Sequence, residues 1–249
     1  MISLGIEEKI IAIEENVVDM KPAFVIYGAE GVGKTTLASY APNPLFIDVE
    51  GGRSAILKTD NRPQVLPVDD ISELSEAFIH LKANPNKYGA VVIDTITEVE
   101  KLFLMEIVES RAAEDPSKDP NFVTQNDYGR GSTRMRKMIR KFRSLDMITI
   151  FLAHEREDKD DRGIIKRAPA VMPSVMKDVN AFCDFIFNMG VDEDGIRKLV
   201  TSPTKRIRAK HRIGNLPKVI ELGDKVEDSD FKTILKMIEK TKKQKKGDK

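Results

Sequence analysis

Residues 28–36 read Gly28-Ala29-Glu30-Gly31-Val32-Gly33-Lys34-Thr35-Thr36, directly after the apolar run Ala23 to Tyr27. The spacing G-x-x-x-x-G-K-[ST] forms a phosphate cradle when it joins a buried strand to a helix. Both neighbours are predicted here: an apolar strand before it, and a helix from Lys34 to Tyr40 that Pro42 stops. Glycines let successive backbone N–H groups turn inward as an anion nest, and the helix start adds positive potential. Lys34 is the residue that reaches the β- and γ-phosphates, and the Thr35 hydroxyl suits a Mg²⁺ ion. The whole stretch from Gly28 to Thr36 is therefore assigned to a nucleoside triphosphate, ATP with Mg²⁺.

The rest of the chain alternates strand and helix patterns. Leu45 to Val49, Gln64 to Val68, Ala90 to Ile93 and Ile148 to Leu152 read as further strands. Between them, apolar residues at 71, 74, 78 and 81 follow a capping box at Asp70 and Glu73, and another helix opens at Thr97 and Glu100. A helix is also predicted from residue 129 to about Arg143. Residues 113–128 and 155–173 are polar, carry Gly or Pro, lack periodicity, and are expected to be long loops. Phe185 to Gly190 and Ile196 to Thr201 flank Asp192-Glu-Asp-Gly195, a hairpin signal. The expected fold is an α/β core, a mostly parallel twisted sheet flanked by helices, with an antiparallel C-terminal hairpin extension. Its expected divisions are an N-terminal helical segment at 1–20 (Ile6, Ile10, Ile13, Val17), a core at 21–222, a helix at 223–240 and a basic tail at 241–249.

Composition removes several classes. With 249 residues, 33% charged and a net charge of +1, the chain has no global attraction to nucleic acid or membrane, so any basic surface is local. Its longest apolar runs are too short to span a bilayer, and no signal-peptide pattern opens it, so a cytoplasmic location is expected. The single cysteine, Cys183, rules out an internal disulfide or a cysteine-cluster zinc site, and its apolar setting predicts a buried thiol.

A metal-holding acid should close an apolar strand, and Asp94 after Val91-Val92-Ile93 fits. The position beside it is Thr95 rather than a glutamate, so the general base that orients the attacking water must come from elsewhere. Glu50, ending Leu45 to Val49, is the first candidate if its strand lies parallel to and beside the phosphate-loop strand; Glu98 is the second.

Together these segments resemble the core of RecA-type ATPases over roughly residues 20–222. Phe46 to Glu50 looks like the segment whose glutamate activates water, and Val92 to Thr95 like the metal-binding strand that ends in Asp and a hydroxyl residue. Ile150 to His154 is similar to the strand whose terminal polar residue senses the γ-phosphate; histidine replaces the usual glutamine. Lys210 and Arg212, in Ala209-Lys-His-Arg-Ile-Gly214, resemble a Lys-x-Arg element that reaches a neighbouring subunit's nucleotide. The resemblance implies a homo-oligomer, ring or filament, with nucleotide sites between subunits. It also implies that the loops at 113–128 and 155–173 contact DNA, the second through Arg156, Arg162, Lys166 and Arg167.

One basic stripe is legible without the resemblance. Arg130, Arg134, Lys137 and Lys141 form a stripe on a different helix face from Met135, Met138, Ile139 and Phe142, which suits a phosphate backbone. The short core looks like the small RecA-like annealing ATPases of phage recombination modules. The expected function is therefore a single-stranded-DNA-dependent ATPase in recombination or annealing, with a single-stranded-DNA-binding protein as a further partner. The alternatives are a regulatory ATPase, such as a helicase loader or a KaiC-like switch, or a P-loop phosphotransferase.

Overall fold

The computed structural model describes residues 21–52, 62–115, 117–159, 162–213, 216–223 and 231–247. The N-terminal segment 1–20, for which the sequence predicts a helix, lies outside the described residues, as does Gly214. The chain runs β1 (Ala23–Gly28), α1 (Lys34–Ser39), β2 (Pro44–Asp48), β3 (Gln64–Pro67), α2 (Ile71–Ala83), β4 (Ala90–Asp94), α3 (Ile96–Glu114) and α4 (Gln125–Arg143). It continues through β5 (Ile148–Lys159), β6 (Ile165–Pro169), α5 (Pro173–Phe182), β7 (Phe185–Val191), β8 (Arg197–Val200), β9 (Lys210–His211), β10 (Val219–Gly223) and α6 (Phe231–Gly247).

One sheet carries the order β10-β8-β7-β1-β5-β4-β2-β3. Strands β7, β1, β5, β4, β2 and β3 are mutually parallel; β8 pairs antiparallel with β7, and β10 antiparallel with β8. This is the expected α/β class with its C-terminal antiparallel extension. The central strands β1, β2 and β4 are buried along their whole length, because helices cover both faces. Alternation divides their side chains: Val25, Ile47, Val91 and Phe151 pack towards α2, α3, α4 and α5, while Phe24, Phe46, Val92 and Ile150 face α1 and α6.

Several local expectations hold, and others shift. Asp70 caps α2, its carboxylate accepting from the Ser72 N–H at 2.7 Å, while Glu73 accepts from the Asp70 N–H at 3.0 Å. The cap of α3 is Thr95, two residues earlier than Thr97, with the Thr95 hydroxyl accepting from Glu98 N–H at 3.3 Å. The expected loop at 113–128 shrinks from both sides: α3 continues to Glu114, and α4 begins at Gln125 after a Thr124–Asp127 capping box. Arg111 fastens what remains, donating to the carbonyls of Asp119 and Phe122 and pairing with the buried Asp127.

The expected loop at 155–173 is the larger correction. Residues Glu155 to Lys159 extend β5 and pair antiparallel with β6, forming a charged hairpin. Arg167 is 3.5 Å from Glu155 and 3.6 Å from Glu157 across it, so alternating charges become cross-strand ion pairs. A helix absent from the sequence reading, α5, follows with Pro173 at its first turn. The last helix also runs further than expected, to Gly247, into the lysine-rich stretch read as a tail. Among the described residues, no helix is long and apolar enough to cross a membrane.

Candidate nucleotide site

Register brings the chemistry to one edge. Gly28 is paired with His154, and Asp48 with Asp94, so β1, β4 and β2 bring their last residues, and β5 its His154, to one edge of the parallel sheet. The phosphate loop bridges β1 and α1 there. Gly31 and Gly33 have φ of 74° and 100°, a region that residues with a Cβ adopt only at a cost. A Cβ at Gly28 would lie 2.1 Å from the Met189 carbonyl oxygen, so β1 and β7 also require glycine at the loop's entrance.

Lys34 is only 8% exposed and folds back over its loop, donating to the carbonyls of Gly28 at 3.0 Å and Ala29 at 2.8 Å. Burial pulls its pKa down; the carboxylates of Asp94, Glu50, Glu30 and Glu155 partly counter that. The Thr35 hydroxyl donates to Asp94 Oδ2 at 2.8 Å. Asp94 is 4% exposed, and burial pushes its pKa up to about 6; the Thr35 hydrogen bond opposes the shift, and Glu50 and Asp48 add to it. A hydroxyl and a buried, reluctantly ionised carboxylate side by side fit a hard divalent cation, which favours oxygen ligands and the ionised acid. Thr35 and Asp94 would hold Mg²⁺ in that way.

Glu50 arrives by a different route from the one its sequence position suggests. Its strand is parallel to β1 but not beside it, since β5 and β4 lie between them. The chain turns after Asp48, whose carboxylate accepts from the N–H groups of Gly51 at 2.8 Å and Gly52 at 3.1 Å. Val49 and Glu50 then donate their N–H groups to the Asp94 carbonyl at 2.8 and 3.2 Å. The Glu50 carboxylate therefore stands 3.3 Å from His154 Nε2, with Glu98 at 3.9 Å from the same nitrogen. The two acids differ in their neighbours: Glu98 is paired with Lys101 at 2.7 Å, whereas Glu50 has no lysine or arginine ion-pair partner among the described residues. The His154 backbone N–H donates to the Thr97 hydroxyl at 3.1 Å, which locks β5 to α3 at this point.

Three residues near the site were not expected. Arg197 Nε donates to the Val32 carbonyl at 3.2 Å, bracing the phosphate loop from β8. Asn188 joins Glu155 at 2.7 Å, and Tyr27 donates its hydroxyl to the carbonyls of Arg208 at 2.6 Å and Arg167 at 3.1 Å. The Arg197 and Tyr27 contacts span 140 to 181 residues of sequence and the Asn188 contact 33, so no local pattern marks them. Burial raises the Tyr27 pKa above its ordinary value, keeping the hydroxyl a donor.

The other expected site residues lie elsewhere. Lys210 pairs with Ile186 at the beginning of β7, at the sheet edge away from Gly28, so with Arg212 it is remote from the chain's own phosphate loop. Its ammonium donates to the carbonyls of Cys183, at 2.9 Å, and Asn180, while Arg212 donates to Ala181 and lies 3.5 Å from Asp184. In this chain both cations close the carboxyl end of α5. Of the basic stripe on α4, Arg130, Lys137 and Lys141 are exposed and Arg134 pairs with Glu106. Arg156 donates to the Val171 carbonyl and pairs with Asp158, and Arg167 is held within its hairpin; Arg162 sits in the turn and Lys166 on β6.

A phosphate loop at the carboxyl end of a largely parallel sheet, with a hydroxyl–carboxylate pair and a second acid set opposite, defines a P-loop ATPase. The chain belongs to the AAA domain family, whose model matches residues 20–213. No curated protein matches it. One solved structure to which it is similar is that of the KaiC-like protein PH0186 from the hyperthermophilic archaeon Pyrococcus horikoshii OT3. The identity is 12%, the match covers 72% of this chain and 77% of that one, and the TM-score is 0.43.

Proposed function

We propose that this ATPase acts on single-stranded DNA as a homo-oligomer, in annealing or recombination of the phage type, alongside a single-stranded-DNA-binding protein in the cytoplasm. The observation that supports the DNA partner best is the entry to α4. Phe122 in the α3–α4 connection and Tyr128 in the first turn of α4 are 64% and 47% exposed, and the basic stripe of α4 begins at Arg130. Exposed rings next to cations suit unpaired bases and their phosphates, and each base stacked on an aromatic ring is worth roughly 1–3 kcal/mol.

In the reaction, Lys34 leaves the carbonyls of Gly28 and Ala29 to take the β- and γ-phosphates, which satisfy its charge better than neutral carbonyls do. Glu50, without a lysine or arginine ion-pair partner among the described residues, accepts the proton of the attacking water, and His154 between Glu50 and Glu98 reports the γ-phosphate. Thr35 and Asp94, which lie side by side, would hold the cation that offsets phosphate charge. Lys210 and Arg212, too far from their own loop, act on a neighbour's nucleotide once released from α5.

The test is ATP turnover with and without a single-stranded oligonucleotide over a salt series, together with binding of the labelled oligonucleotide. Stimulation that fades as salt rises is expected. Unchanged turnover with no oligonucleotide binding at low salt would remove DNA from the reading and leave the ATPase.

A further inference from the structure

A groove lies between α2 and α4, enclosing about 170 Å³. Its floor is apolar, with the half-buried rings of Phe78 and Phe103 beside the buried Met138 and Phe142. An apolar cavity of about 150 Å³ takes up a benzene molecule, so this one has room for a single ring or a branched aliphatic side chain. Arg134, Lys137 and Lys141 line it from α4, and Ser75 lines it from α2.

The charges of α4 are unevenly matched. Arg134 pairs with Glu106, Arg136 and Arg140 with Asp178, and Arg143 with Asp184. Lys137 and Lys141 are exposed and have no acidic partner among the described residues. The Lys141 ammonium instead lies over the Phe78 ring, 5.7 Å from its centre. Like charges four residues apart on a helix repel each other, and a carboxylate between them removes that cost. Acids brought by another molecule would therefore be drawn to this rim, while an apolar group would cover the floor.

We propose that the groove docks an acidic segment of a partner protein, with one aromatic or branched apolar side chain in the cavity and carboxylates on Lys137 and Lys141. The lining favours such a side chain over a nucleobase. Base edges carry N–H donors as well as acceptors. Among the described residues the polar side chains of the lining are three cations, which only donate, and the Ser75 hydroxyl. Each base donor left unmet in the cavity would count against binding, whereas an apolar side chain has none to lose. Arg130, where the stripe of α4 begins, does not line the groove, so the docking does not rest on the DNA reading. Lys137 borders both this groove and the hollow at the start of α4, and a docked acidic segment would compete with a phosphate backbone for it.

Fluorescence anisotropy with the full chain tests this, using a short labelled peptide that carries glutamates on both sides of a central Phe-Leu pair. Saturable binding of one peptide per chain is expected. Alanines in place of the Phe-Leu pair should weaken it about 10-fold, the loss typical of an anchor side chain. Ser75→Trp, at an exposed position on the α2 wall, should block the groove and weaken binding at least as much. Lys137→Glu combined with Lys141→Glu should lose the acidic peptide and gain its lysine-substituted counterpart, a reversal that an unfolded variant cannot give. No saturable binding up to about 1 mM, or an affinity indifferent to the Phe-Leu pair or to Ser75→Trp, overturns the docking. An oligothymidylate that binds the parent and is excluded by Ser75→Trp overturns it in favour of nucleic acid. ATP turnover and its response to DNA enter none of these readouts, so the ATPase reading stands or falls apart from them.

Discussion

Asp94→Asn should leave the nucleotide-free protein more stable at neutral pH while abolishing its turnover. In the fold the acid's pKa is near 6, against 3.8 for an ordinary aspartate, chiefly because it is buried between β2 and the phosphate loop. About two pKa units at roughly 1.4 kcal/mol each means that ionised Asp94 costs the native state about 3 kcal/mol. Asparagine imitates the protonated acid and keeps an acceptor for Thr35, but its new N–H groups must find partners, which takes back about 1 kcal/mol. A net gain of about 2 kcal/mol corresponds to about 4–8 °C in Tm for a chain of this size. The dependence on pH is the sharper signature. Below the unfolded pKa the acid is protonated in both states, and the raised native pKa costs nothing. Between about 4 and 6 the native state holds a proton that the unfolded chain releases, so the parent protein loses stability relative to the variant as pH rises. Above about 6 the gap levels off. Thermal melts of both proteins from pH 4 to 8 in a chelator measure this gap directly. A gap that is flat across the range, or a parent more stable at pH 7.5, would refute the assignment of Asp94 as a buried acid strained by ionisation.

Three further outcomes follow from the site and its supports. Glu50→Gln should lower turnover by about 100-fold or more while a fluorescent ATP analogue still binds, whereas Glu98→Gln, already neutralised by Lys101, should cost less than about 10-fold. The opposite ranking in steady-state kinetics would make Glu98 the base. Lys34→Ala should abolish ATP binding by calorimetry yet leave the protein folded, with a loss of about 1–3 kcal/mol in chemical denaturation for the buried Gly28 carbonyl it leaves unmet, since Ala29 is exposed to water. Tyr27→Phe should cost about 1–2 kcal/mol in chemical denaturation, since it strips the hydroxyl from the carbonyls of Arg208 and Arg167.

Much of the core was legible because its signals are local. A strand buried on both faces is an apolar run, and a phosphate loop is a contiguous spacing, so β1, β2, β4 and the Gly28–Thr36 loop could be read directly. The β5–β6 hairpin was not, because its stability comes from pairing across strands. Charges that look like loop residues in sequence become partners only when Arg167 faces Glu155 and Glu157. Helix α5 carried no polar cap: Met172 stands at its start, and only Pro173 marks the entry. The start of α3 slipped by two because both Thr95 and Thr97 can cap, and the fold assigns Thr97 to the His154 N–H instead. Glu50 is legible from its strand end, yet the turn that carries it to His154 depends on the Asp94 carbonyl, a contact with a distant strand. Arg197 bracing Val32 spans 165 residues and had no signal at all.

The two cations at the end of α5 have a consequence for assembly. Lys210 and Arg212 satisfy the carbonyls of Asn180, Ala181 and Cys183, and side chains occupied there are withheld from any other partner. Recruiting them to a neighbour would therefore unfasten the last turn of a helix in the donor subunit. Subunit association would then be reported from inside the fold, as faster amide exchange at Cys183, the position whose N–H closes that turn on Val179. The helix end would serve as a latch whose closed form belongs to the solitary chain.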